Sequence, residues 1–435
     1  MVRMASQVNP PRGMRDFLPA DKAKREHAFS VIKRVYRDHG FDEIETPVVE
    51  DHARLHAGLG GDNEKLSFSI LKRGLGAEAL AAAAEGGDAE QLADLGLRFD
   101  LTVPLSRFYA SHRAELPPVF RSIQMGPVWR AERPQKGRYR QFVQVDIDVI
   151  GEAGLLAEVE LLSATSRVFA ELGLTGCVFR VNDRRILFGL LDHCGFAPET
   201  HDRALIIVDK LDKIGAEGVV GELRELDPEA AERLGAVLTE VEPRLAGDGI
   251  PLTAEAISAI LPEGAAAEGV ANLAEIGAAL EGSLPEGVEL RFDPTLVRGM
   301  GYYTGTIFEV AHPGSGSSVG GGGRYDGMIG RFLGQDVPAV GSSIGFERIV
   351  DLIELPASTG PEAVALVHDA DAAPADLAAL KTALVARGHR VRLERRQKNM
   401  KTLLARVAEQ GFTRFANVRA GERDVDALEL RELSA

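Results

Sequence analysis

The clearest pattern of apolar and polar positions lies in the first half of the chain. An apolar-leaning run, Val119–Glu132, is followed by a basic stretch with a proline and a glycine, Arg133–Arg140, and then by β-branched residues in Gln141–Ile150. This order predicts an antiparallel hairpin with a mobile basic loop. Polar side chains two positions apart project from one face of the second strand, namely Gln144, Asp146 and Asp148. Such a face favours a lined pocket; an ordinary hairpin with a solvated face is the alternative.

Other segments have helical or strand-like spacing. Apolar residues at helical spacing predict helices over Asp21–His39 and Glu152–Leu172, and Phe41–Thr46 predicts a short strand that ends at a proline. Leu71–Leu97 is rich in Ala, Gly and Glu, and we interpret it as a surface excursion. Residues 204–287 are acidic and Ala-rich, which predicts a mainly helical region.

The last part of the chain alternates between strand and helix patterns. A linker near Leu355–Gly360 precedes the predicted elements, which are Val364–Val367, Ala375–Arg387, Arg390–Leu393, Asn399–Gln410 and Phe412–Val418. Strands that alternate with helices imply a mainly parallel sheet. This region therefore predicts a separate C-terminal α/β unit.

Length and composition bound the class of protein. The 435 residues allow two or three domains, and 45% hydrophobic with 26% charged residues is ordinary for a globular protein. No apolar run approaches the ~20 residues that span a membrane, and the first residues lack the apolar core of a signal peptide. The two cysteines, Cys177 and Cys194, fit neither a disulfide framework nor a zinc site, which favours a reducing cytoplasm.

Charge is unevenly distributed along the chain. A formal net charge of −15 argues against indiscriminate nucleic-acid binding. The segment Arg387–Arg406 nevertheless contains a dense group of basic residues against a single acid, Glu394. A nucleic-acid contact and one solvated face of an α/β domain are both compatible with this cluster.

Several phrases carry recognisable chemistry and follow one another in a fixed order. They are RFDLTVP (98–104), RAERPQKGRYRQF (130–142), RGMGYYTG (298–305), GGGGRYDG (320–327) and GSSIGFER (341–348). The glycine run has neither the spacing nor the lysine of a Walker A phosphate loop. Together the phrases resemble those of the histidyl-tRNA synthetases, a family of class II aminoacyl-tRNA synthetases. The second phrase resembles class II motif 2, and the last resembles motif 3.

The resemblance implies an α+β fold with a class II synthetase antiparallel sheet core and flanking helices. It implies a catalytic core over residues 1–203 and 288–355, a helical insertion domain over 204–287, and a C-terminal α/β anticodon-binding domain over 361–435. The first helix and the strand after it resemble motif 1, which forms a dimer interface in that family. A homodimer is therefore expected.

The implied reaction activates histidine with ATP to histidyl-adenylate and transfers it to the 3′ end of tRNA-His. ATP enters with Mg²⁺ as a substrate, and no protein-bound metal is expected. By resemblance, Arg130 grips the α-phosphate, Arg298 stabilises the charge that develops there, and the residues that bind ATP are Arg130, Glu132 and Arg348. An arginine suits this task because its planar guanidinium is always charged and matches phosphate oxygens.

The resemblance also assigns the histidine and tRNA contacts. The histidine-binding set is Asp100, Leu101, Thr102, Gln144, Asp148, Arg298, Tyr302 and Tyr303. Asp100 and Thr102, expected on one strand face, would hold the α-amino group together with Gln144. Asp148 and Tyr303 would recognise the imidazole, which has one donor and one acceptor when neutral. The expected tRNA contacts are Arg133, Lys136 and Arg138 in the hairpin loop, and Arg395, Arg396 and Lys401 near the C-terminus.

Two departures from the family pattern and two rival interpretations accompany this assignment. Gly301 stands where the family phrase has an aspartate, and Asn417–Gly421 replaces a more usual glycine turn, which bears on the anticodon contacts. One rival is a non-catalytic paralogue that senses histidine, resembling the regulatory subunit of ATP phosphoribosyltransferase. Arg298, the basic loop and the C-terminal unit count against it. The other is a synthetase for a different amino acid, against which the RGMGYYTG phrase counts.

Overall fold

The protein forms two compact units. The computed structural model describes residues 8–56, 66–87, 89–135, 137–247, 249–262, 266–298, 302–355 and 361–433. The larger unit continues to Ile353, and the smaller one begins at Glu354 and also includes Phe17–His27, a segment that contains the first half of the first helix. The sequence predicted a division into four segments. The two compact units do not test that division, so it remains a prediction.

The strands are numbered in chain order. They are β1 (Asp42–Ile44), β2 (Val49–Asp51), β3 (Phe68–Leu71), β4 (Ala93–Leu97), β5 (Phe120–Trp129), β6 (Gln141–Ile150), β7 (Cys177–Asp183), β8 (Val288–Phe292), β9 (Thr306–Ala311), β10 (Gly320–Arg324), β11 (Ala339–Ile344), β12 (Ala363–His368), β13 (Arg390–Arg395), β14 (Arg414–Asn417) and β15 (Arg431–Glu432).

The helices are numbered in the same way, and short 3₁₀ turns lie at Ala89–Leu92, Pro198–Thr200 and Val425–Ala427. They are α1 (Pro19–Asp38), α2 (His52–His56), α3 (Ala77–Gly86), α4 (Thr102–His112), α5 (Leu156–Glu171), α6 (Arg184–Cys194), α7 (His201–Val208), α8 (Leu211–Leu223), α9 (Pro228–Ala246), α10 (Ala254–Ser258), α11 (Ala267–Leu280), α12 (Asp326–Leu333), α13 (Phe346–Leu352), α14 (Pro374–Ala386) and α15 (Met400–Glu409).

A mixed sheet organises the larger unit. Within the described residues it has eight strands in the order β1-β5-β6-β11-β10-β9-β7-β8. The six central strands are antiparallel to their neighbours, while β1 and β8 add in parallel at the two edges. Strands β5 and β6 pair along their whole length, from Phe120 opposite Ile150 to Trp129 opposite Gln141. The antiparallel core and the predicted hairpin are confirmed.

Helices cover the apolar face of this sheet. Helix α1 buries Ala28, Ile32, Val35 and Tyr36, which recur at helical spacing and pack in the same core cluster as residues of α5 and β6. On α5, the Thr165 hydroxyl lies 3.1 Å from the hydroxyl of Ser342 on β11, within hydrogen-bond distance. Because side chains alternate along a strand, packing one face in this way leaves the other face of β6 and β11 for a site.

The region predicted to be helical is helical. Helices α7 to α11 lie between α6 and β8 in the chain, and α8 is interrupted at Gly215, whose φ of 69° lies outside the helical range. Part of the cluster beneath them joins α6 through Leu187, Leu190 and Leu191. The insertion therefore shares a hydrophobic core with the helix that precedes it.

The sequence predicted a strand at the RFDLTVP phrase, and this prediction is wrong. Strand β4 ends at Leu97, and helix α4 begins at Thr102. The Asp100 carboxylate accepts a hydrogen bond of 3.2 Å from the backbone N–H of Val103, so it satisfies a donor at the start of this helix. Aspartate suits such a position better than a strand interior, and the shared strand face predicted for Asp100 and Thr102 does not exist.

The smaller unit contains the predicted α/β arrangement. Strands β13, β12 and β14 are parallel, and β15 adds antiparallel beside β14. Helix α15 begins where the side chain of Asn399 accepts from the backbone N–H of Thr402 at 3.2 Å. Most of the predicted linker, from residue 356 to 360, lies outside the described residues. Across the described part of both units, no helix is long and apolar enough to cross a membrane.

Candidate active site

A cavity of about 450 Å³ lies against the face of the large sheet that the hairpin helps to form. Strands β6, β10 and β11 supply its floor, and the loops before α4 and β9 supply walls. The residues with predicted roles that it brings together are Asp100, Thr102, Arg130, Glu132, Arg138, Gln144, Asp148, Arg298, Tyr302, Tyr303 and Arg348. These residues are spread over more than half of the sequence, so their convergence is a property of the fold.

The other predicted residues lie elsewhere. Leu101 is buried directly before α4 and does not line the cavity. Arg133 lies in the hairpin loop outside the lining, and Arg395, Arg396 and Lys401 belong to the smaller unit. Two positions discussed from the sequence, Lys136 and Gly301, lie outside the described residues.

Glycines make the floor of the cavity flat. The glycine run is strand β10, which pairs with β9 and β11 in the middle of the sheet. On β11, a Cβ at Gly341 would overlap the carboxylate of Asp148 and come within 3.0 Å of the Tyr325 ring. On β10, a Cβ at Gly321 would come within 2.7 Å of the Arg298 guanidinium carbon. Side chains at these positions would occupy the space that the functional groups use.

One end of the cavity is acidic. The carboxyl groups of Asp100, Asp146 and Asp148 all line it, and the last two are 5% and 4% exposed. Burial raises the pKa of Asp100 to about 6 and that of Asp146 to about 7, and their mutual repulsion adds to the effect on Asp146. Burial also raises the pKa of Asp148, helped by the charge of Asp146. A cationic ligand would relieve this repulsion and return the groups to their charged forms.

Hydroxyl groups complete the acidic end. The Tyr325 hydroxyl donates to the Asp148 carboxylate at 2.5 Å. The rings of Tyr302 and Tyr303 lie 4.3 Å apart between centroids and face the same cavity. Burial raises the pKa of both phenols, so they are neutral hydrogen-bonding groups at physiological pH. Carboxylates and phenols together can satisfy both a donor and an acceptor on a ligand ring.

Basic side chains adjoin the acidic end, and the charge of Arg130 partly offsets the raised pKa of Asp100 and Asp146. Arg130 donates from Nε to the carbonyl of Phe99 at 3.0 Å, and its guanidinium lies 5.1 Å from the Phe142 ring centroid. Arg348 donates from Nη1 to the carbonyl of Ser318. Its pKa is lowered by burial and by the nearby positive charge of Arg138. Guanidinium groups that repel one another in one cavity favour a polyanion such as a triphosphate.

Some lining residues were missed or given no role. The sequence placed Asp146 on the polar strand face without assigning it a function, and Tyr325 was passed over within the GGGGRYDG phrase. Asp146 follows the alternation of Gln144 and Asp148, which was a usable signal. Its Oδ1 is buried without a hydrogen-bond partner among the described atoms, as is Oε1 of Gln144. Tyr325 could not be found in this way, because its bond to Asp148 depends on tertiary packing.

Sequence and structure comparisons place these features among known proteins. The family described as Histidyl-tRNA synthetase matches residues 13–349. Histidine–tRNA ligase of Leifsonia xyli is 65% identical over 99% of this chain and 100% of its own length. A probable histidine–tRNA ligase of Tropheryma whipplei is 41% identical over 94% of this chain and 95% of its own.

Solved structures agree with the sequence relatives. A histidyl-tRNA synthetase from a Nostoc species matches with a TM-score of 0.76 and 25% identity, covering 99% of this chain and 95% of its own. A protein from Bacillus halodurans, described as an ATP phosphoribosyltransferase regulatory subunit/histidyl-tRNA synthetase, matches with a TM-score of 0.74 and 20% identity, covering 96% of this chain and 99% of its own. At that identity the second match supports the fold alone.

Proposed function

The chain belongs to the histidyl-tRNA synthetase family, and from this we propose that its cavity is the site of a histidine–tRNA ligase. The enzyme uses ATP to activate histidine and transfers the histidyl group to tRNA. The observation that supports this assignment is a single cavity lined both by three clustered carboxylates and by a group of guanidinium groups. The ligands of the first step, an amino acid and a triphosphate, carry the complementary charges.

ATP contacts the basic side chains of the cavity in this proposal. Arg130 binds the α-phosphate through the edge of its guanidinium that Phe99 does not engage, and Arg348 binds the γ-phosphate. Glu132 lies 3.6 Å from Arg138 and contacts the nucleotide from the rim. Mg²⁺ enters with ATP as part of the substrate, and the absence of a protein-bound metal stays a prediction. Arg298 faces the α-phosphate, where it offsets the charge that develops as histidyl-adenylate forms.

Histidine occupies the acidic end. Asp100, Thr102 and Gln144 hold its α-ammonium group, and Asp146 adds a charge to the same region. Asp148, oriented by the Tyr325 hydroxyl, accepts a hydrogen bond from the imidazole, and Tyr303 contacts its other nitrogen. The buried carboxylates select a cationic amino group because they are repelled by one another until it binds.

The tRNA contacts are proposed at two places. Arg133, Lys136 and Arg138 in the hairpin loop meet the acceptor end of tRNA-His. Exposed Arg395, Arg396 and Lys401 in the smaller unit contact the anticodon region. Arg396 is already paired with Asp369 at 2.7 Å, so its contribution requires exchange of that exposed ion pair for a phosphate.

Assembly and location complete the proposal. We propose a homodimer because α1 and β1 are the helix and strand that resemble motif 1, and molar mass in solution would test it. A cytoplasmic location is supported by Cys177 and Cys194, which are free and buried. The paralogue that only senses histidine is not favoured, because the 65% identical relative over nearly the whole chain is named a histidine–tRNA ligase.

Histidine-dependent exchange between ATP and pyrophosphate tests the activation step directly. The purified protein should catalyse exchange with histidine, and should not do so with other amino acids at equal concentration. Charging of a tRNA-His transcript then tests transfer. Histidine binding without any exchange would support the sensor instead.

A further inference from the structure

A row of side chains crosses the large sheet from the cavity to β7, the strand next to the edge strand β8. Register places Ser343 of β11, Gly321 of β10, Glu309 of β9 and Arg180 of β7 opposite one another in turn. Residues directly opposite in antiparallel strands project from the same face. Glu309 therefore lies on the face that bears the cavity, one strand away from its floor, although it does not line the cavity itself.

Arg298 extends into this row. Its Nη1 donates to Oε2 of Glu309, and its guanidinium lies above Gly321, the one position in the row that lacks a side chain. The side chains of Arg298 and Glu309 are 29% and 21% exposed, so water screens this pair only in part. One nitrogen of the guanidinium is therefore held, while the group as a whole faces the cavity.

Glu309 is itself held from the other side. Arg180 approaches the second oxygen, Oε1, at 3.8 Å, and donates from Nε to Asp293 at 2.5 Å. Asp293 is 2% exposed and accepts from both the backbone N–H and the hydroxyl of Thr295, at 2.9 and 2.6 Å. Asp293 and Thr295 lie in the segment between β8 and Arg298. The same buried group therefore anchors both Arg180 and the base of the loop that carries Arg298.

We infer that Glu309 is a positioning residue for Arg298, with Arg180 bracing its carboxylate from the far side. The inference rests on the proposed role of Arg298 at the α-phosphate. A guanidinium that must meet a developing charge is effective when its orientation is fixed before the reaction. Glu309 fixes it by one hydrogen bond and also offsets the repulsion between Arg298 and the other guanidinium groups of the cavity.

Substitution of Glu309 by glutamine tests this role, because it keeps the shape and removes the charge. We expect kcat for exchange to fall on the order of 10- to 100-fold through misorientation of Arg298. The KM for histidine should stay within about threefold of wild type, because Glu309 touches no ligand. Glu309→Asp, which keeps the charge, should recover part of the lost rate. A matched control is Glu289→Gln on the edge strand β8 of the same sheet, where an exposed glutamate pairs with Arg291 at 2.6 Å.

A double-mutant cycle separates this role from a structural one. If Glu309 acts through Arg298, Glu309→Gln should cost almost nothing further in an Arg298→Ala background. Added guanidinium ion should partly restore exchange to Arg298→Ala, and this rescue should disappear in the double variant. Multiplicative losses, or equal rescue in both backgrounds, would overturn the inference.

Two further outcomes distinguish this inference from the proposed function. If Arg298→Ala is inactive while Glu309→Gln matches wild type, the positioning role is wrong and the proposed function stands. If Arg298→Ala keeps wild-type exchange, the role of Arg298 fails, and the positioning role fails with it. Melting temperature is measured for every variant. If Glu309→Gln and Glu309→Asp both had a lower melting temperature, and Glu309→Asp recovered none of the exchange rate, Glu309 would serve stability instead.

Discussion

At the scale of single residues, Arg130 is oriented by its own backbone surroundings. Its Nε bond to the Phe99 carbonyl and its position beside the Phe142 ring fix the guanidinium plane toward the cavity. Lysine could supply the charge but not the planar fork. We predict that Arg130→Lys and Arg130→Ala both lower the exchange rate, by roughly a hundredfold or more for alanine.

The control for this prediction lies on β5, the strand that ends just before Arg130. Arg121 of β5 pairs with Glu160 at 2.5 and 2.8 Å and does not line the cavity. Arg121→Lys should leave exchange near the wild-type rate. If Arg130→Lys behaved like Arg121→Lys, the fork of Arg130 would not contact phosphate.

Asp148 should discriminate histidine from ATP. We predict that Asp148→Asn raises the KM for histidine by an amount equivalent to about 1–3 kcal/mol, because it leaves ligand and protein groups in the pocket imperfectly paired. The KM for ATP should change little, since in the proposed function ATP contacts the arginines and not Asp148. Tyr325→Phe removes the hydroxyl that orients Asp148 and should have a smaller effect of the same kind. Equal rises in both Michaelis constants would make Asp148 a structural residue.

The raised pKa values of the cavity carboxyl groups predict that histidine affinity depends on pH. Asp100 and Asp146 lose charge as pH falls through about 6 and 7, respectively, and with it their attraction for an α-ammonium group. Histidine affinity should therefore weaken between pH 8 and pH 6. The dependence should be shallower in Asp146→Asn, measured by calorimetry. Free histidine titrates in the same range, so the informative quantity is the difference between the two proteins.

The same groups predict a stability effect of opposite sense. A carboxyl group whose folded-state pKa is raised stabilises the fold fully below its unfolded pKa, and this contribution is lost as pH rises through the folded pKa. The ligand-free protein should lose stability from this source between about pH 4 and pH 7. Asp146→Asn should therefore raise the melting temperature at pH 8 while it weakens histidine binding. A variant no more stable than wild type at pH 8 would show that Asp146 is not strained by burial.

At the scale of elements, the sequence predicted strands and helices well where periodicity is strong. Strand β6 alternates apolar and polar residues from Val143 to Val149, and α1 shows clean helical spacing. The strand prediction from the sequence failed at Asp100. The Asp100 carboxylate accepts from the Val103 N–H at the start of a helix, and this partner cannot be identified from the sequence. The sequence also predicted no strand for Gly320–Arg324, since glycine has low strand propensity and only the neighbouring strands impose the conformation.

Strands β10 and β11 give a prediction about the cavity floor. A Cβ at Gly341 would overlap the Asp148 carboxylate, so Gly341→Ala should displace Asp148 and sharply weaken histidine binding. Gly327→Ala is the control, because a Cβ there meets no atom within 4 Å among the described residues. Isothermal titration with histidine compares the two variants. Wild-type affinity in Gly341→Ala would show that Asp148 can move without loss of recognition.

At the scale of the whole molecule, the division of the chain into two compact units was predictable only in part. Alternating strands and helices predicted the C-terminal α/β unit, and β12, β13 and β14 confirm it. The inclusion of Phe17–His27 in that unit was not predictable, because it depends on contacts between distant parts of the chain. Every cavity residue lies between Asp100 and Arg348, within the larger unit.

This division predicts that activation and tRNA charging can be separated. Exposed Arg395, Arg396 and Lys401 concentrate positive charge in the smaller unit of a chain whose net charge is −15. Reversal of these three residues to glutamate should weaken charging of tRNA-His through a higher KM for tRNA, while histidine-dependent exchange stays near wild type. A chain that ends after Leu355 should show the same separation, provided it remains folded.

Salt dependence identifies the cause. Contacts to phosphates release counterions, so loss of one contact should make the fall of log affinity with log salt shallower by about 1. Reversal of exposed Lys381, Arg419 and Arg431 in the same unit is the matched control, because it changes net charge equally at other positions. If both triple variants weakened tRNA binding equally, the effect would be one of net charge. If the first left charging unchanged at moderate salt, Arg395, Arg396 and Lys401 would not contact tRNA, and the basic segment would be the solvated face of an α/β domain.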